Sequence, residues 1–109
     1  MRLIYISIPM NGRNEEKQKE KINKIREKFR DDACISPYEL RDKLNRIYEE
    51  KGEIPSYSDY LLYDLHVLVF CDTIYMCAGW DKSKGCRVEH EMAKSIDMKI
   101  IYESERSSV

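Results

Sequence analysis

Four short runs rich in β-branched and aromatic residues, at 2–8, 33–36, 73–78 and 99–102, alternate with longer segments whose apolar residues recur at helical spacing. That alternation constrains the chain more than any other feature. Strands separated by helices pair parallel through right-handed crossovers, and the product is a parallel sheet with helices laid on it. A chain of 109 residues holds one such domain and one modest core. The expected fold is α/β and three-layered, an open parallel sheet of four or five strands in a single domain over 1–109, with a polar tail from about residue 103.

Local signals place the helices. Pro9 closes the first run, 9–13 is a loop, and Asn14 caps a helix with Glu15 and Glu16 in its first turn. Ile22, Ile25 and Phe29 give that helix a thin apolar stripe, as suits a helix lying on a sheet. Pro37 ends the second strand, and Leu40, Leu44, Ile47 and Tyr48 then mark an amphipathic helix up to Gly52. Pro55 and Ser56-x-x-Asp59 open a third helix, from about residue 57 to about 70, apolar almost all round and so expected at the centre. Between the third strand and the last helix lies a polar loop, 79–85, with glycine at both ends.

Charge and cysteine content narrow the function classes. With 19 basic and 20 acidic residues nearly cancelling, neither a nucleic-acid polymer nor a membrane is expected as partner. Cys34, Cys71, Cys77 and Cys86 form no C-x-x-C pair and have no histidine at zinc spacing, so no metal and no cofactor is expected. No stretch reads as a signal peptide or reaches the roughly 20 apolar residues of a membrane span, and a reducing, cytoplasmic setting follows.

Two acidic residues stand where apolar ones belong. Glu89 shares a helical stripe with Met92, Ala93 and Ile96, facing the core. A carboxylate there is neutralised, paired or used at a pocket; alternatively it answers the positive end of the helix dipole. Asp64 sits on the apolar helix between Tyr60 and Leu68, where desolvation would raise its pKa and make it a general acid. It could equally be tied to backbone amides or a tyrosine hydroxyl. His66 and His90 read as bystanders, and Cys86 as a small residue opening the last helix. Trp80 is either a hinge packed on the core or an aromatic wall for a planar ligand. In a flavodoxin- or Rossmann-like sheet of order 2-1-3-4, a ligand would bind where strand order reverses, facing the loops at 7–13 and 78–86.

The segments Tyr5-Ile-Ser-Ile-Pro-Met-Asn-Gly12, Tyr60-x-x-Tyr-Asp-Leu65, Cys71-Asp-x-Ile-Tyr75 and Gly79-Trp-Asp-x-Ser-x-Gly-x-Arg-x-Glu89, in that order and spacing, resemble the nucleoside 2-deoxyribosyltransferase-like superfamily, and within it the DUF4406 family. The resemblance implies N-glycosidic bond cleavage or deoxyribosyl transfer on a nucleoside or nucleotide. It implies Glu89 as nucleophile, Asp64 as its assisting acid and Tyr5 as the phenol that orients the nucleophile. Ser83 would contact a sugar hydroxyl, and Ser7, Ile8, Pro9, Met10, Asn11 and Gly12 would receive the 5' end of the ligand, with Trp80 and Gly85 completing the site. Ile8 stands where the family carries glycine, which implies looser phosphate binding. The alternative is an inactive nucleotide-binding or scaffold protein of the same fold. Exposed tyrosines and thin helices point to a homodimer or higher homo-oligomer.

Overall fold

Asn14, Ser36, Ser56 and Ser83 each stand one residue before a helix, and three of the four hold its first turn by accepting a backbone N–H: Asn14 from Lys17, Ser56 from Asp59, Ser83 from Cys86. In the computed structural model, which describes residues 1–103, the elements run β1 (Leu3–Ser7), α1 (Glu15–Lys28), β2 (Ala33–Ile35), α2 (Pro37–Glu50), α3 (Tyr57–Leu68), β3 (Thr73–Met76), α4 (Lys84–Ser95) and β4 (Lys99–Tyr102). The four strands are all parallel, in the order β2-β1-β3-β4. Tyr5 lies between Ile35 and Ile74, so β1 is flanked on both sides. The architecture is the open α/β sheet expected, with four strands among the described residues.

Strand period divides the core in two. Ile4 and Ile6 of β1 and Tyr75 of β3 meet Ile22 and Ile25 of α1 on one face. Tyr5 of β1 with Ile74 and Met76 of β3 meet Leu68 of α3 and Cys86 and Ala93 of α4 on the other. Helix α2 contributes Tyr38 to the first cluster and Leu40 to the second. The loop after β1 is tied to α1 by the Gln18 side-chain amide, which donates to the Pro9 carbonyl. Beyond β3 the chain turns at Gly79, φ 88°, where a Cβ would also approach the Arg13 guanidinium to 3.1 Å.

Several boundaries and exposures differ from expectation. Helix α2 starts at Pro37, immediately after the second strand, because proline suits a first helical position and Glu39 reaches back to the Ser36 N–H at 2.9 Å. Helix α3 stops at Leu68 and is not central. Only Leu68 is buried, while Leu62 is 65% exposed. Helix α4 begins at Lys84, two residues before Cys86, because Ser83 is its cap. Ile96 has left the apolar stripe: it is the C-terminal cap of α4 and 44% exposed. Glu103 is docked, its N–H on the Met76 carbonyl at 2.8 Å and its carboxylate on the Ala78 N–H at 2.6 Å and the Lys21 ammonium at 2.7 Å. The rest of the expected tail lies outside the described residues. No helix among the described residues is long and apolar enough to cross a membrane.

Candidate active site

Strand period and helix period meet at Glu89. Tyr5 and Ser7, two apart on β1, point to the same face of the sheet, and α4 crosses that face with Cys86, Glu89 and Ala93 turned inward. The Tyr5 hydroxyl donates to Glu89 Oε2 at 2.7 Å and the Ser7 hydroxyl to Oε1 at 2.6 Å. Each carboxylate oxygen has one donor and keeps a lone pair. Glu89 is 4% exposed, and Tyr5 and Ser7 are fully buried behind it.

In front of Glu89 a cavity of about 250 Å³ opens at the carboxyl ends of β1 and β3, the place where strand order reverses. Four walls make it. The loop after β1 gives Ile8, Met10 and Asn11; α2 gives Pro37 and Arg41, one turn apart; α4 and its cap give Ser83, Gly85, Cys86 and Glu89. Helix α3 gives Tyr57, Tyr60, Leu61 and Asp64, spaced i, i+3, i+4, i+7. This explains why a helix apolar on nearly every side is not buried: one stripe faces the cavity and another faces outward.

The two carboxyls of this cavity are both hard to ionise. Burial, and then the charge of Glu89, raises Asp64 to about 8. Burial raises Glu89 to about 7 against the Ser7 and Tyr5 hydroxyls, which favour its charged form. Those donors decide where a single negative charge resides: on Glu89, with the proton on Asp64. The Tyr5 phenol is pushed well above its ordinary range by burial and by the two acids, and so remains a neutral donor. Burial also raises the Cys86 thiol, so the helix start does not yield a thiolate.

The cavity thus brings together Glu89, Asp64, Ile8, Met10, Asn11, Ser83 and Gly85 from the sequence-derived set. Tyr5 and Ser7 stand one layer behind, acting through Glu89. Pro9 is buried with its carbonyl held by Gln18, Gly12 occupies a positive-φ turn, and neither borders the cavity. Trp80 does not border it either. It lies against His90, ring centroids 4.2 Å apart, and His90 in turn bonds the Tyr102 hydroxyl at 2.7 Å. Ser83 commits one lone pair to the Cys86 N–H at 3.3 Å. Sequence reasoning missed Arg41 and the tyrosines Tyr57 and Tyr60. The tyrosines were within reach, since they stand at helical spacing from Asp64; Arg41 carried no such signal. Among the described residues no three His, Cys, Asp or Glu side chains gather as a metal site.

A family model described as Domain of unknown function (DUF4406) matches residues 2–102. No curated protein matches the chain.

Proposed function

The chain belongs to the DUF4406 family, and from that premise and the paired acids we propose that it cleaves the N-glycosidic bond of a nucleoside or nucleotide through a covalent glycosyl intermediate. The observation that carries this reading is Glu89, gripped by Tyr5 and Ser7 at the wall of a cavity that also holds a desolvated Asp64. The ionised Glu89 attacks the anomeric carbon as the C–N bond breaks, and the departing base takes the Asp64 proton. Water or a second base then attacks the same carbon, gives its proton to Asp64 and frees the Glu89 carboxylate. The first acceptor makes a hydrolase, the second a deoxyribosyltransferase. A cavity of about 250 Å³ is below the roughly 300–1,000 Å³ usual for drug-sized ligands, which favours a mononucleoside over a dinucleotide.

Incubation with deoxynucleosides and their 5'-monophosphates should release free base, and Glu89→Ala should not. Release at the wild-type rate by that variant removes Glu89 from the mechanism. One observation favours a second reading, a binder without turnover: Ile8, 3% exposed, borders the cavity with a β-branched side chain at the end of β1. Tight binding with no base release would select it. Self-association belongs to the same proposal, because Leu62 at 65% exposure and Phe70 at 74% leave apolar surface on and beside α3. Sedimentation would read it, and a cytoplasmic setting is proposed with it.

A further inference from the structure

Among the described residues bordering the cavity Arg41 is the one cation, and it comes from α2, a wall separate from those that carry Glu89 and Asp64. Its guanidinium forks onto Glu15 of α1, Nη1 to Oε1 at 3.1 Å and Nη2 to Oε2 at 2.9 Å. It also lies 5.1 Å from the centroid of the Tyr38 ring. A planar fork with one face on an aromatic ring is the arrangement in which arginine recognises planar or tetrahedral oxyanions, carboxylate and phosphate alike. Glu15 therefore occupies the same two donors that an anion entering the cavity would need.

The hold of Glu15 is weak enough to exchange. The Arg41 side chain is 30% exposed and that of Glu15 42%, and an ion pair in that setting contributes little to stability. Glu15 would not be orphaned, since the Lys19 ammonium stands 3.0 Å from its Oε2. A phosphate dianion brings more charge and more acceptor oxygens to the fork than the carboxylate it displaces. The negative end of the cavity, Glu89 and Asp64, lies on the other walls, so a ligand with its glycosidic bond at the acids can present an anionic group toward α2 without meeting them.

We propose that Arg41 is the anion-binding residue of this cavity, exchanging Glu15 for the 5'-phosphate of a nucleoside monophosphate. The inference rests on the glycosidic reading above and names its substrate class: 5'-monophosphates in preference to free nucleosides. Glu15 becomes a competitor for the site built into α1.

The experiment measures dissociation constants and base release for matched deoxynucleosides and their 5'-monophosphates. It compares the wild type with Arg41→Gln, Arg41→Lys and Glu15→Gln. Arg41→Gln should weaken monophosphate binding about 10- to 100-fold and nucleoside binding less than about 3-fold, the size expected for loss of a charged bidentate contact. Arg41→Lys should recover part of the loss, because charge returns without the fork. Glu15→Gln should tighten monophosphate binding severalfold, an effect that a merely structural Arg41–Glu15 bridge does not give. Equal weakening of both ligands by Arg41→Gln, or looser monophosphate binding in Glu15→Gln, overturns the proposal. Monophosphate binding that obeys this pattern with no base released from any ligand keeps the Arg41 site and removes the glycosidic reaction. Failure of every ligand to bind removes both.

Discussion

The two ends of β1 both meet carboxylates, and they treat them in opposite ways. At its beginning, Asp32 accepts the Arg2 N–H at 2.8 Å and the Arg2 guanidinium at 3.1 Å, while Asp72 accepts the Leu3 N–H at 2.7 Å. These acids satisfy backbone donors where the strand starts, and the Arg2 backbone and side-chain donors hold Asp32 below its usual range. At the other end, among the described residues, Glu89 has only two hydroxyl donors and Asp64 has burial without an ion pair, and both are pushed upward. The same residue class satisfies backbone donors at one end and is desolvated at a cavity at the other, where we propose that it reacts. Desolvation in a cavity, and not acidity or position alone, is what marks Glu89 and Asp64 and not Asp32 as candidates for function.

The largest expected effect comes from the held acid at the cavity. Glu89→Gln preserves shape and removes the proposed nucleophile, so base release should fall by about 10³-fold or more. Asp32→Asn should leave kcat/KM near the wild-type value. Comparable losses in the two variants would erase the distinction between the ends.

That distinction was partly legible in the chain itself. Helical period placed Glu89 with Ala93 on an inward face, and an apolar setting singled out Asp64; both border one cavity. Alternation of strands and helices pointed to the parallel sheet, and the order 2-1-3-4 expected of a flavodoxin- or Rossmann-like sheet is the one observed. The contact of Ser7 with Glu89 was written in the period of two from Tyr5, but the family resemblance directed attention to ligand contact. Apolarity misled at α3, because it counts residue types and not neighbours, and the outward Leu62 has no described element over it. Arg41 and the docked Glu103 depend on where α2 and β4 end up in space, and a charged residue on an amphipathic helix or at a strand end has no local mark to show it. Trp80, an aromatic in a polar loop, reads as either a hinge packed on the core or a ligand wall, and its packing on the second core cluster and on His90 decides against the wall.

Next in size is the proton donor. With Glu89 raised to about 7 and Asp64 to about 8, the productive state of the proposed reaction has the first ionised and the second protonated. The kcat/KM profile should be bell-shaped, rising as pH passes up through about 7 and falling through about 8, values that belong to the pair jointly. Asp64→Asn should lower the rate about 10²–10⁴-fold and abolish the alkaline limb. An alkaline limb that persists in that variant assigns the proton to another group.

Smaller effects follow from the two hydroxyls. Tyr5→Phe and Ser7→Ala each remove a donor that favours the Glu89 carboxylate, so its pKa should climb further and the acid limb should move toward alkaline pH. The expected loss is about 10-fold at pH 7, shrinking relative to wild type as pH rises. A loss independent of pH would mean that the hydroxyls only fill space.

The smallest effect is on stability, and its sign is the sharpest test of the contrast. Asp64 has a folded pKa raised to about 8 from an ordinary 3.8, so the folded state binds its proton more tightly than the unfolded chain. Its contribution is fully present below about 3.8 and is lost as pH rises toward about 8. Asp64→Asn does not titrate, and at pH 9 it should be more stable than wild type by about 1–3 kcal/mol, discounted for water reaching the cavity, with the advantage fading in acid. Asp32 runs the other way: its lowered pKa stabilises the fold above its unfolded value of about 3.8, and that contribution is lost as pH falls through the folded value. Asp32→Asn should therefore lower the melting temperature at neutral pH and cost progressively less in acid. Thermal melts of both variants from pH 3 to 9 should diverge as pH rises, and two curves moving in the same direction would show that the ends of β1 do not differ in the way proposed.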